Sequence, residues 1–266
     1  MVAAIPAVAQ EPVSPEAEAG LINYAYAYAF GNGNYAVAGR SAQVFRLPFS
    51  VRLWSTEDRP VGLRLKLPVT LGLYEFGISD LFQGGLADQI QTVSFVPGLE
   101  MEFEVNERWR LLPFMDIGAG KDLSGDALAG ILAFGVDSYV TIPSDRGVLT
   151  LGNKAFWVGS KVHEIRSDAM AYFMTGLDLR MPMKLRLGSR PMDVSLYGIN
   201  YLYFNDVEFQ RVAAEPVTID TEYEVGLTFG TDPAYEWWIF EAPRFGLSYR
   251  FGGQISAVRL TIGQAF

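Results

Sequence analysis

The sequence predicts an all-β protein: a closed antiparallel transmembrane β-barrel of about twelve strands, joined by short turns at one end. Three observations predict it. Apolar residues recur at a period of two over long stretches, the signature of strands with two unlike faces. No uncharged apolar run approaches the roughly 18 residues of a membrane-crossing helix, and the most apolar run, Leu128 to Val136, covers half of that. Turn-forming clusters divide the chain into segments of roughly 20 residues, close to a spanning strand of about 10 residues plus its connection.

Composition narrows the function. The 266 residues are 50% hydrophobic and 14% aromatic, too apolar for a disordered chain. Lys and Arg total 21 against 30 Asp and Glu, a net charge of −9, so the electrostatic footprint of a nucleic-acid binder is missing. Cysteine is absent, which excludes disulfides, Cys-ligated metals and thiol catalysis. One histidine leaves a single candidate for histidine chemistry.

The chain opens MVAAIPAVAQEPVSPEAEAG. The small-residue site Ala7-Val8-Ala9, followed by polar Gln10-Glu11, reads as the end of a secretory signal peptide. Residues 1–9 are thus expected to be a signal remnant, 10–20 an N-terminal tail, and 21–266 the barrel. Strands are expected near 21–30, 40–54, 61–76, 90–105, 109–120, 128–142, 148–158, 169–187, 192–204, 218–230, 238–251 and 255–266. The clearest alternation is in 61–73, where Val61, Leu63, Leu65, Leu67, Val69, Leu71 and Leu73 oppose Arg64, Lys66 and Thr70. Residues 91–105 set Leu99, Met101 and Phe103 against Glu100, Glu102 and Glu104; residues 173–187 set Leu177, Leu179, Met181 and Leu185 against Asp178, Arg180, Lys184 and Arg186. Strands 148–158 and 192–204 alternate poorly, and in 109–120 the inward set includes Leu112 and Phe114. Short turns are expected at 55–60, 106–108, 143–147, 188–191 and 231–234.

A soluble sandwich also alternates, with its apolar face inside. The inverted arrangement is favoured here because the apolar faces run longer than an ordinary soluble strand. The polar faces also carry like-charged neighbours that a shared hydrated interior would pair with adjacent strands. Trp109, Trp237, Trp238, Tyr201 and Tyr203 cluster at strand ends, as interfacial girdles do.

The last segment, ISAVRLTIGQAF, places Val258, Leu260, Ile262 and the terminal Phe266 on one parity. It resembles the closing strand of Gram-negative outer-membrane β-barrels. That resemblance implies an outer-membrane location, contact with outer-membrane lipid, and recognition of Phe266 by the barrel-assembly machinery. It also implies that both termini and the short turns face the periplasm. Among twelve-stranded types the chain is most similar to autotransporter-type barrel domains, here as a solitary barrel without a passenger.

The motifs that might carry chemistry read as structural. Glu100, Glu102 and Glu104 share a face as a lumen ladder rather than as acid–base carboxylates. His163 is followed by Glu164, Ile165 and Arg166, lacking the His-x-Ser-Asn pattern of outer-membrane phospholipase A. Gly31-Asn32-Gly33-Asn34 lacks the residues of a phosphate loop and reads as a hairpin turn. Asp122 and Asp126 lack calcium-loop spacing. No catalytic, cofactor-binding or metal site is expected. With strands 61–76 and 90–105 folded about residue 83, paired positions sum to 166. Arg64 then opposes Glu102 and Lys66 opposes Glu100; folding about residue 234 sets Glu224 opposite Arg244. The expected function is a porin-like, non-enzymatic outer-membrane barrel, a narrow pore for small solutes. Two alternatives stay open: an outer-membrane enzyme modifying lipid or lipopolysaccharide, and a soluble barrel binding an apolar ligand.

Overall fold

A computed structural model describes residues 24–37, 40–74, 90–123, 128–162, 166–204, 209–211, 214–217, 220–231, 235–237, 240–242, 244–253 and 255–262. The described residues begin with a short helix, α1 (Tyr24–Phe30), and then form twelve strands. These are β1 (Gly33–Val37), β2 (Arg40–Leu47 continued by Ser50–Trp54), β3 (Gly62–Lys66 and Val69–Tyr74), β4 (Ile90–Phe95 and Gly98–Asn106), β5 (Trp109–Asp122) and β6 (Leu128–Ser144). They continue as β7 (Gly147–Val162), β8 (Arg166–Leu187), β9 (Arg190–Tyr203), β10 (Thr221–Thr231), β11 (Phe245–Gly252) and β12 (Ile255–Ile262). Every neighbouring pair is antiparallel, and β1 pairs with β12, Asn34 opposite Val258, so the sheet closes on itself. Closure leaves no edge strand with unpaired backbone groups. Two small ribbons, Phe209–Arg211 with Ala214–Val217 and Tyr235–Trp237 with Phe240–Ala242, lie in connections.

The closed twelve-strand barrel is the expected fold class, but its first strand is not where the period-two pattern put it. Residues 24–30, YAYAYAF, form α1, and the first strand is Gly33–Val37, in what was read as a hairpin turn. The reason lies in the pattern itself. Alternate tyrosines are also spaced four apart, so Tyr24 and Tyr28 share one helical face. Alanine, the best helix former, fills the intervening positions. Gly31, with φ +67°, allows the reversal from α1 into β1.

The wall is two-sided. Leu149, Leu179, Leu196, Leu227, Leu247 and Leu260 pair in succession across β7 to β12. Exposed apolar residues continue on the other strands with Leu99, Met101, Phe103, Met115, Ile117 and Phe134. The opposite parity is buried: Asp116, Asp137, Tyr172, Ser195, Glu222, Glu224 and Arg250 face the interior. The poorly alternating 148–158 and 192–204 follow the same rule, because their inward positions carry Phe156, Val158, Tyr197 and Ile199 among the polar residues. Leu112 and Phe114 also lie inward, as read from the sequence.

Three adjacent strands are interrupted in register. β2 breaks at Pro48-Phe49, β3 at Leu67-Pro68 and β4 at Val96-Pro97, and the flanking pairs Leu47–Val69, Ser50–Lys66, Val69–Phe95 and Lys66–Gly98 line the breaks up. Proline has no N–H to donate to the ladder. Substitute bonds bridge the seam: the Leu67 N–H donates to the Phe49 carbonyl at 2.7 Å and the Ile117 N–H to that of Pro97 at 2.9 Å.

At the short-turn end, Gly188 adopts φ +62° in the β8–β9 turn. In the β2–β3 connection, the carboxylate of exposed Asp58 accepts from the Ser55 hydroxyl at 2.9 Å and the Ser55 N–H at 3.3 Å. Those two donors hold its pKa below the ordinary carboxylate value.

Candidate functional site: the barrel lumen

Inward-facing side chains from every strand converge on the lumen, and helix α1 is inside it, packed on β3, β6, β7 and β8. Tyr24 and Tyr28 are buried. The Tyr24 ring rests on Gly120 of β5, where an added Cβ would fall 2.5 Å from it. Tyr28 stacks on Phe156 at 6.2 Å, and Phe156 continues the aromatic cluster to Tyr172 at 4.9 Å, thence to Tyr201 and Tyr203. The Arg46 guanidinium lies 4.3 Å over the Tyr28 ring and donates to the Tyr28 carbonyl at 3.2 Å. After the helix, Asn32 is held from two sides, by the Arg46 N–H at its side chain and by Arg259 at its carbonyl. The helix is thus keyed to the wall by ring contacts and hydrogen bonds.

A unit recurs among the other inward residues: a buried carboxylate engaged by one cation and at least one tyrosine hydroxyl. Asp116 takes Lys66 at 2.8 Å and the Tyr28 hydroxyl. Glu222 takes Arg250 and the Tyr203 hydroxyl at 2.8 Å. Glu224 takes Arg259 together with the hydroxyls of Tyr201 at 2.9 Å and Tyr197 at 3.1 Å. The same cations lie on rings, Lys66 at 3.9 Å over Phe114 and Arg250 at 4.0 Å over Tyr201. Lys154 pairs with Asp137 at 3.2 Å, and the Ser195 hydroxyl donates to Asp178. Burying charge is tolerable only with such pairing.

The charge ladder read from the sequence faces inward, with a shifted register. Arg64 opposes Glu100, not Glu102, and the two pair at 2.9 Å. Glu102 opposes Gly62 and reaches instead to Arg110 of β5 at 2.9 Å. Lys66 opposes Gly98 and pairs with Asp116 rather than Glu100. Paired positions sum to 164, a slip of two residues, which preserves the face on which every side chain lies. The displacement of Glu224 from Arg244 is larger. Glu224 opposes Arg250, while Arg244 turns to Asp193 and to the Thr228 hydroxyl at 2.9 Å. The cause is in the connection: the sequence puts a turn signal at TDPA, whereas Tyr235–Trp237 and Phe240–Ala242 add a ribbon beyond it.

The girdle assignment divides. Trp109 faces outward beside the Asn106–Trp109 turn and donates from Nε1 to the Ser138 hydroxyl at 3.0 Å. Tyr201 and Tyr203 do not belong to a girdle. They share the inward parity of Tyr197 and Ile199, and their hydroxyls complete Glu224 and Glu222. Trp237 lies in the ribbon Tyr235–Trp237. Trp238, His163, Phe266 and residues 1–20 lie outside the described residues.

The sequence reading gave no partners to Glu222 and Arg250, which it put on polar faces, and did not single out Asp116, Asp137, Lys154, Asp193 and Arg259. Parity pointed to them all, but partner choice follows diagonals and neighbouring strands that a single hairpin does not reveal. Among the described residues, no group of three or more histidines or acids is placed to hold a metal ion, and no helix is long and apolar enough to cross a membrane. No protein-family model matches the chain, and no curated protein matches it either.

Proposed function

We propose that the protein is an integral β-barrel of a Gram-negative outer membrane whose lumen is closed at rest by α1, a gated narrow pore for small solutes rather than an enzyme. The observation that carries this reading is the sidedness of the wall. A continuous leucine row and further exposed Phe, Met and Ile face outward, while ion pairs and tyrosines face inward. Water offers no reason to expose such a belt, whereas hydrocarbon does, and closed strand pairing satisfies the backbone there. The helix within the lumen and the twelve strands support likeness to autotransporter-type barrel domains. In this reading the short turns face the periplasm, and Phe266 addresses the chain to the barrel-assembly machinery. The buried carboxylates support a non-catalytic interior, since Asp116, Glu222 and Glu224 are each engaged by a cation and a tyrosine.

Two measurements test it. The folded protein is expected to require detergent or lipid and to migrate differently on a denaturing gel before and after boiling; a protein monodisperse in plain buffer overturns the membrane reading. In planar bilayers the wild type is expected to show no steady conductance. Gly120→Leu, which thrusts a side chain into the Tyr24 ring, is expected to dislodge α1 and open one. Steady conductance by the wild type overturns the closed lumen.

A further inference from the structure

A row of polar side chains crosses the outward face. On β6 to β9, outward positions more than two residues from a strand end carry aliphatic or aromatic residues or glycine, with four exceptions among the described residues: Ser138, Asn153, Thr175 and Asn200. Their strand neighbours Asp137, Lys154, Met174 and Ile199 have the inward parity. The four stand directly opposite one another on successive strands, Ser138 with Asn153, Asn153 with Thr175, and Thr175 with Asn200. Three strand spacings make the row about 14 Å long. Asn153 is the seventh residue of sixteen in β7 and Thr175 the tenth of twenty-two in β8, so the row passes through the middle of the wall. Strands of a membrane barrel tilt by roughly 40°, so a row that follows the ladder slopes from rim to rim. Trp109, at the start of β5, donates to Ser138 at one end, and Tyr223, the third residue of β10, stands opposite Asn200 at the other.

Hydrocarbon gives an amide nothing to bond with. Most of the row is engaged within the wall itself. Ser138 accepts from Trp109 Nε1 at 3.0 Å, the Thr175 hydroxyl donates to Asn153 Oδ1 at 3.0 Å, and Asn200 Nδ2 donates to the Glu222 carbonyl at 3.4 Å. The amide nitrogen of Asn153 has no acceptor among the described residues, and its Oδ1, which takes Thr175, keeps a second lone pair. Asn153 thus offers a donor and an acceptor side by side at mid-wall. Ala155, the next outward residue of β7, is small and exposed, so another wall can approach closely there.

We propose that the β6–β9 face is the interface of a two-fold symmetric dimer, in which the Asn153 amide of each copy donates to Oδ1 of the other. The inference rests on the membrane reading above. An amide is complementary to itself, and a two-fold axis sets a residue against its own copy only where the axis passes. The slope of the row fixes that point. About an axis along the membrane normal, two facing rows cross instead of lying along each other, so one residue of each meets its counterpart. Asn153 is the mid-wall residue with both groups to offer, whereas an acyl chain presents neither a donor nor an acceptor.

Sedimentation equilibrium of the full-length protein in density-matched detergent micelles, over a range of protein-to-detergent ratios, tests the interface. The wild type is expected to dimerise. Asn153→Leu, which suits lipid and removes the pair, is expected to weaken the dimer roughly tenfold, two hydrogen bonds within the membrane at about threefold each. Asn200→Leu, on the same row but away from the crossing, is expected to leave it unchanged. The chain has no cysteine, so Ala155→Cys adds a single thiol. In vesicles a short bismaleimide is expected to join two such chains, and not two chains carrying Leu247→Cys on β11. A wild type that stays monomeric at every ratio, or a dimer as strong in Asn153→Leu, overturns the interface, while a continued need for detergent leaves the barrel in the membrane. Joining through Leu247→Cys but not through Ala155→Cys puts the contact on another face and also overturns it. A protein monodisperse in plain buffer overturns the membrane reading and the interface with it.

Discussion

Leu196→Arg is expected to destabilise the barrel by about 2–4 kcal/mol when it is unfolded from lipid vesicles by urea. That is the cost of an arginine on the lipid face near the bilayer midplane. Leu196 is the seventh residue of the fourteen in β9. It is 55% exposed and has Leu179 and Leu227 on either side. The same substitution separates the readings of the wall. In a soluble barrel, an exposed leucine replaced by arginine changes stability by no more than about 0.5 kcal/mol. The midpoint of the urea transition, compared with wild type at unchanged slope, decides between the two. A null result there would return the apolar belt to water and remove the basis of the membrane assignment.

Arg250→Met is expected to cost a comparable or larger amount, about 3–5 kcal/mol, through the opposite face. Arg250 is 1% exposed and Glu222 0% exposed, and removing one partner of a buried pair leaves the other charge uncompensated. The loss extends beyond the pair. Arg250 also contacts the Tyr203 hydroxyl and lies over the Tyr201 ring. The double variant Arg250→Met with Glu222→Gln removes the orphaned charge, so most of the stability is expected to return. The same urea titration on the single and double variants checks this. If the single variant costs less than the double, the pair contributes nothing and the lumen must be well hydrated at that point.

The contrast between these two faces is the part of the structure most legible in the sequence. Leu63 and Leu65 against Arg64 and Lys66 required only the pleat of a strand, and the barrel has each on the expected side. What was illegible is specific. YAYAYAF satisfies a period of two and a spacing of four at once, and nothing within seven residues decides between strand and helix. The decision comes from Gly120 and Phe156, distant in sequence, which receive Tyr24 and Tyr28. Register failed by two residues where the connection of β3 and β4 is long, and by six where TDPA imitated a turn. In both places parity survived, because hydrophobic burial constrains the face of a strand far more than its offset. Tyr201 and Tyr203 show the limit of reading aromatics by position. A tyrosine near a strand end serves an interface or a buried carboxylate equally well, and only the opposing Glu222 and Glu224 settle which.

The aligned prolines of β2, β3 and β4 give the wall an unequal stiffness. β6 and β7 pair through sixteen successive positions without a break, and β8 and β9 shift register once, between Pro182 and Arg186. Across the β2–β4 sector, three neighbouring strands surrender ladder bonds on one line and are bridged by a few substitutes, such as the one from Leu67 to Phe49. A cylinder creased along one sector and braced on the other does not breathe evenly: under lateral pressure it ovalises, bending about the crease. Lys66 and Gly98 border that crease, and Lys66 grips the same carboxylate as Tyr28 of α1. Flexing of the weak sector is therefore transmitted first to α1, and under the proposed gated pore the proline line is the compliant element of that gate.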